Sequence, residues 1–215
     1  VLAPLALLLA AVRLVASPVF LWLEYHRPGF PADRFGFTLA DRMHYGSAGL
    51  DYVTNLAGPR YLSSLTHQGA PLFTEVEVDH MTDVKTVLWI ATAALVVLVV
   101  VCALLIASLL RTSPGGVRRA LFAGAVWLPL AVIALAVLAV LGWETFFAGF
   151  HSLFFADGTW TFSVRDALIR LYPQQFWVDA AVVVGLVTLL ASLVTLVLTW
   201  PTRRRRELSA DRREQ

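Results

Sequence analysis

Four long apolar runs organise the chain: Leu2–Tyr25, Val84–Leu110, Val117–Gly142 and Phe176–Trp200. Each exceeds the ~18–20 residues that a helix needs to cross about 30 Å of hydrocarbon. A helix satisfies its own backbone hydrogen bonds in lipid, so four such runs predict about four spanning helices. Ser113-Pro-Gly-Gly116 interrupts the pattern between the second and third runs, and so short a turn predicts an antiparallel hairpin. Polar residues return over 26–83. There Thr38 predicts the cap of an amphipathic helix reaching Asn55, with Leu39, Met43, Leu50, Val53 and Leu56 on its apolar side. Gly58-Pro59 ends it. From Phe73 to Asp79 the pattern alternates, Val76 and Val78 against Glu75, Glu77 and Asp79, and predicts a short strand. The expected fold is an all-α polytopic membrane protein carrying a small α+β cap.

Composition agrees with that class. Of 215 residues, 58% are hydrophobic and only 15% charged, against roughly 25% charged in soluble domains. A net charge of +2 raises the question of nucleic acid, but the arginines answer it by where they fall. Arg111, Arg118 and Arg119, then Arg203–Arg206, Arg212 and Arg213, flank helix ends on one predicted side. That distribution is a topology signal rather than a nucleic-acid surface. It places the turn 111–116 and the tail 201–215 in the cytoplasm, where the tail meets anionic membrane lipid. Segments 26–83 and 143–175 are then exoplasmic. Lys85 is the only lysine, a bias that suggests a GC-rich, bacterial coding source and hence a bacterial plasma membrane.

Val15-Ala-Ser17 resembles a signal-peptidase site, but Phe20, Trp22 and Leu23 continue the apolar run past it, so an uncleaved anchor is expected. Arg13, near the middle of that run, costs roughly 2.5–3.5 kcal/mol at the bilayer centre unless it snorkels or finds an internal partner. Cys102 lies mid-helix, has no second cysteine to pair with, and is expected to be inert.

Two histidines carry the candidate chemistry. His80 precedes the second apolar run, and His151 follows the third within Phe146-Phe-Ala-Gly-Phe-His-Ser-Leu-Phe-Phe155. The hairpin returns both imidazoles to the same side of the bilayer at similar depth. Ionisable groups kept at such a position point to a site. Asp79 adjoins His80 and Asp83 stands at i+3, spacings at which a carboxylate supports an imidazolium. Phe147, Phe150, Phe154, Phe155 and Trp160 crowd the second segment, as an interfacial anchor or as a wall for an acyl chain. His26, His44 and His67 read as solvated loop residues. Glu75, Glu77, His80 and His151 lack any local metal-ligand spacing, so no metal is expected. There is no G-x-S-x-G around a serine, so a nucleophile in acyl transfer would come from the substrate.

Glu77-Val-Asp-His-Met-Thr-Asp-Val-Lys85, Phe150-His-Ser-Leu-Phe-Phe155, Trp160 and Asp166-Ala-Leu-Ile-Arg-Leu-Tyr-Pro173 together resemble the lipoprotein intramolecular transacylases, bacterial integral membrane proteins. The resemblance implies transfer of the sn-2 acyl chain of a diacylglyceryl-modified lipoprotein cysteine onto that cysteine's α-amino group, giving a lyso-form lipoprotein without a cofactor. It implies His80 and His151 as the catalytic pair, with Asp79, Asp83 and Lys85 supporting. Of the two, His80 is the expected base, its cation held by the neighbouring carboxylates. Two other classes remain open on the residues alone. One is a membrane lipid hydrolase, and the other a non-catalytic protein binding lipid or a partner through its cap.

Overall fold

The structure, a computed structural model, describes residues 2–202. The expected arginine cluster Arg203–Arg206, with Arg212 and Arg213, lies outside the described residues.

The first apolar run is two helices rather than one. α1 (Leu2–Val15) stops, and α2 (Pro18–His26) leaves it at 57°. Pro18 has no N–H to continue the ladder, and Ser17 Oγ accepts the Phe20 N–H at 3.3 Å to start the second helix. Arg13 donates to the Ala16 carbonyl at 2.9 Å. The charge that sequence leaves stranded in the bilayer is therefore satisfied by a carbonyl that the break sets free. Only as a pair are α1 and α2 long and apolar enough for one span.

α3 (Leu39–Thr54) begins at a reciprocal capping box, Thr38 Oγ1 accepting the Asp41 N–H and the Asp41 carboxylate accepting the Thr38 N–H. A single turn, α4 (Arg60–Ser63), leads into a two-stranded hairpin, β1 (Thr66–His67) and β2 (Ala70–Pro71), paired Thr66 to Pro71 and His67 to Ala70. Gln68 and Gly69 both take positive φ, at 53° and 82°, the backbone that a two-residue turn between twisted strands requires.

The strand expected over 73–79 is not there. Thr74 Oγ1 accepts the Glu77 N–H at 3.3 Å while the Glu77 carboxylate accepts the Thr74 N–H at 2.8 Å. This second capping box nucleates α5 (Glu75–Thr112), and a local box outcompetes two alternating valines. At 38 residues, α5 is about 57 Å long, far more than a span needs. Its apolar part begins at Val84, and the turns before it rise into the cap. All of its buried residues (Glu77, Val78, His80 and Met81) lie in those turns.

After the Ser113-Pro-Gly-Gly116 turn, α6 (Gly116–Leu141) returns antiparallel. α1 crosses it so closely that a Cβ at Gly124 would stand 2.8 Å from Pro4 Cγ. At Gly142 the chain turns off into α7 (Trp143–Ser152), which buries no residue. A long loop and α8 (Ala167–Leu171) then precede the last span, α9 (Gln174–Thr199). α5, α6 and α9 each qualify as a membrane span by length and hydropathy. With the bent pair they make up the expected set of about four.

The cap core draws on both ends of the chain. Leu21, Tyr25, Tyr52, Val53 and Leu62 pack with Leu168 and Leu171. Tyr25 Oη donates to the Leu171 carbonyl at 2.7 Å, and Tyr172 Oη to the Gly46 carbonyl at 2.6 Å. Gly46 and Gly49 make room on α3 for these two hydroxyls, since a Cβ at Gly46 would come within 2.5 Å of Tyr25 Oη. Arg170 forks onto Asp33, both nitrogen–oxygen contacts at 3.0 Å. Burial opposes ionisation of Asp33, but Arg170 and the N–H groups of Phe37 and Phe35 outweigh it and hold the carboxyl at about 2.

Candidate active site

The cap-side end of α5 presents His80, and α7 presents His151. The two rings lie nearly parallel with centroids 6.3 Å apart. The hairpin argument from sequence placed them on one side; the structure brings them face to face. His80 is 8% exposed, walled by Phe155 at 4.9 Å and Phe162 at 5.3 Å. His151 is half-buried, with Phe147 at 4.0 Å, Trp160 at 5.0 Å and Phe155 at 5.5 Å around its ring. Phe150 meets His151 edge-on. Phe154 packs on Phe150 and Phe155 and faces outward. Phe162 belongs to the site but stood among the aromatic crowd in the sequence with nothing to single it out.

The tautomer of His151 follows from its helix. Its Nδ1 lies 2.9 Å from the Phe147 carbonyl, one turn back. A carbonyl only accepts, so Nδ1 carries the hydrogen and Nε2 holds the lone pair. Burial lowers the pKa of His151, and the Phe147 carbonyl resists that shift. His80 is placed differently: its Nδ1 is buried with no hydrogen-bond partner among the described residues. Burial, then the charge of His151, drives its imidazole down to about 4, with Asp83 opposing weakly. Both rings are therefore neutral near pH 7.

The supporting residues fall elsewhere than the sequence suggested. Asp79 and Asp83 are exposed on α5, and among the described residues neither makes a hydrogen bond or ion pair with His80. Lys85 turns away from the pair. Its Nζ donates to the Ala57 carbonyl at 2.6 Å and sits 4.3 Å from the Tyr52 ring, tying the end of α3 to α5. Glu77, one of the conceivable metal ligands, has both carboxylate oxygens occupied. Oε2 takes the Thr74 donors and Oε1 takes the Leu168 N–H at 2.8 Å. That last bond docks α8 onto the root of α5. The other histidines are not the loop residues expected: His26 ends α2 and stacks on Trp22 at 4.4 Å, His44 lies within α3 beside Tyr45, and His67 in β1 contacts the Tyr45 hydroxyl at 3.2 Å.

Residues 1–177 match the family model described as lipoprotein intramolecular transacylase Lit. This chain belongs to that family. It is accordingly an acyltransferase embedded in a membrane by several spans. An uncharacterised protein of Aquifex aeolicus is 30% identical over 189 residues, covering 86% of this chain and 84% of its own length. Among solved structures, the fold is similar to that of the membrane-integral lipoprotein intramolecular transacylase of Bacillus cereus. The TM-score is 0.66 and the identity 20%, over all of this chain and 94% of that one. A variant of the same protein with one histidine replaced by arginine aligns at TM-score 0.59 and 19% identity, over all of this chain and 92% of that one. Those likenesses establish a shared transacylase fold.

Proposed function

We propose that this transacylase moves the sn-2 acyl chain of a diacylglyceryl-modified N-terminal cysteine onto the α-amino group of the same lipoprotein. The observation that carries the reading is the stacked His80–His151 pair, held at the end of two spans beneath an aromatic wall. The amine nitrogen attacks the ester carbonyl carbon and forms the new N–C bond. The tetrahedral intermediate then expels the glycerol oxygen, breaking the C–O bond. One proton leaves the nitrogen and one arrives at the glycerol oxygen, so an ester becomes an amide plus a free hydroxyl at unchanged mass.

His151 is the better base of the two, which reverses the expectation from sequence. Its Nε2 lone pair is free, and its basicity is less depressed than that of His80. A single imidazole that takes the amine proton and delivers it to the leaving oxygen contributes about 10²–10⁴ in rate. His80 stays uncharged beside it, because two cations at this separation repel, and offers a ring nitrogen to the reacting groups. Both reactive groups come on one molecule, which supplies the proximity term. Phe147, Phe155, Phe162 and Trp160 line the pair with apolar surface, favouring an amine delivered by the substrate over bulk water. The sidedness is part of the proposal. With Arg111, Arg118 and Arg119 cytoplasmic, the pair opens on the exoplasmic face, where lipoproteins display their lipidated cysteine.

The test is tandem mass spectrometry of a defined diacylglyceryl lipopeptide incubated with the purified protein. Fragmentation is expected to locate the acyl chain on the N-terminus with the parent mass unchanged. His151→Ala and His80→Ala are each expected to lose at least about 10²-fold in rate. Loss of one acyl mass instead would identify a hydrolase and overturn the reading.

A further inference from the structure

Two buried polar atoms flank the His151 ring without a partner among the described residues: Nδ1 of His80 and Nε1 of Trp160. The first belongs to the pair already described. The second has no place in that chemistry as it stands. We infer that the Trp160 indole N–H is a catalytic hydrogen-bond donor, aimed at the oxygen that becomes negatively charged when the substrate's ester carbonyl is attacked. The inference rests on the proposed acyl transfer and names one more group for it.

An indole nitrogen is a donor only and can be satisfied solely by an acceptor. Leaving it buried and unpaired costs stability, so such a group calls for an explanation, and an acceptor that arrives with the substrate is one. The local chain is built to deliver it. Thr159 N–H and Oγ1 both donate to the Ala156 carbonyl, at 3.2 and 2.9 Å, closing a tight turn. Gly158 within that turn takes a φ of 83°, a conformation other residues rarely adopt. The next residue is Trp160, tilted 35° against His151 with ring centroids 5.0 Å apart. A residue serving only as greasy wall has no need to bury its single polar atom unpaired.

The reacting centre offers one acceptor that gains charge. As the amine nitrogen bonds to the carbonyl carbon, the C=O π pair moves onto oxygen. It returns when the C–O bond to glycerol breaks and its proton is supplied by the imidazolium. The donor must be preorganised beside that oxygen, next to the base yet not hydrogen-bonded to it. Trp160 meets that requirement, since its ring lies beside His151 while its Nε1 makes no hydrogen bond among the described residues. The remaining buried orphans are Arg42 Nε in the cap, and Trp127, Thr188 and Ser192 in the spans α6 and α9. Among the described residues, none of these is in ring contact with the pair.

The test replaces Trp160 with 3-benzothienylalanine, which keeps the bicyclic shape and exchanges N–H for sulfur, with Trp160→Phe beside it. Steady-state transfer on the diacylglyceryl lipopeptide is followed by mass spectrometry. The isostere is expected to lower kcat about 10²-fold with KM nearly unchanged, and its thermal midpoint is expected to equal or exceed that of the parent. An unchanged kcat overturns the donor role. A loss confined to KM, or a loss accompanied by a lower thermal midpoint, overturns it too and leaves packing as the function of the ring. The parent protein in parallel separates the two readings: if it fails to transfer, the acyl-transfer reading falls, whereas a parent that transfers beside a fully active isostere removes only the N–H.

Discussion

A single hydrogen bond, His151 Nδ1–H to the Phe147 carbonyl, fixes which imidazole nitrogen is free for chemistry. A backbone acceptor is present whatever residue stands at 147, so no sequence pattern announces it. The presence and side of His80 and His151 were legible from their flanking spans and the short turn between them. The depressed basicity of His80 was not, because it depends on burial by Phe155 and Phe162, which a loop distant from it in sequence supplies. The carboxylates beside His80 misled for the same reason: adjacency along a helix places Asp79 and Asp83 outward, where solvent screens them. A consequence is measurable. A base acts only when uncharged, and burial lowers both pKa values below the ordinary imidazole value of 6.5. The acid limb of kcat/KM is therefore expected to fall below pH 6.5, where an exposed histidine pair would already have lost activity. A limb above 6.5 would mean that carboxylates, not burial, govern the site.

At the scale of elements, the active face depends on how α8 is held to the root of α5. The Glu77 carboxylate caps α5 through Thr74 and receives the buried Leu168 N–H through its other oxygen. Glu77→Ala removes the cap and strands that N–H, a combined destabilisation of about 2–4 kcal/mol. Unfolding in detergent is expected to register it, together with faster proteolysis between α7 and α9; a change under about 0.5 kcal/mol would mean that α8 is held by its apolar contacts alone. Thr74-x-x-Glu77 is a helix-start signature that the sequence carried openly, and two alternating valines obscured it. Ser17-Pro18 is a similar case, an N-cap and first-turn proline inside an apolar run long enough to look like one helix. The extent of α3 was read to within a residue of its end, because the Thr38 cap and the terminating Gly58-Pro59 marked it, but its buried face was not: Leu39 and Leu56 are exposed, and Arg42, Tyr45, Gly46, Gly49, Tyr52 and Val53 face the core.

For the whole molecule, the spans set the address and the cap-side segments enclose the histidine pair. The sidedness inferred from Arg111, Arg118 and Arg119 is checked by single cysteines in a Cys102→Ala background. A cysteine replacing exposed Ser64 is expected to react with a membrane-impermeant maleimide on intact cells. One replacing exposed Thr112 is expected to react only after permeabilisation, and the opposite pattern would invert the topology. The cap has one further property, which concerns time rather than place. Its core closes only when α8 reaches α2 and α3, across the 146 positions separating Tyr25 from Leu171. At roughly 5–20 residues per second of synthesis, that gap lasts about 7–30 s. His80 thus leaves the ribosome before Phe155 and Phe162, the loop residues that wall it. Enclosure of the histidine pair is therefore a late event of synthesis, complete only after the loop is made and α8 docks on the root of α5.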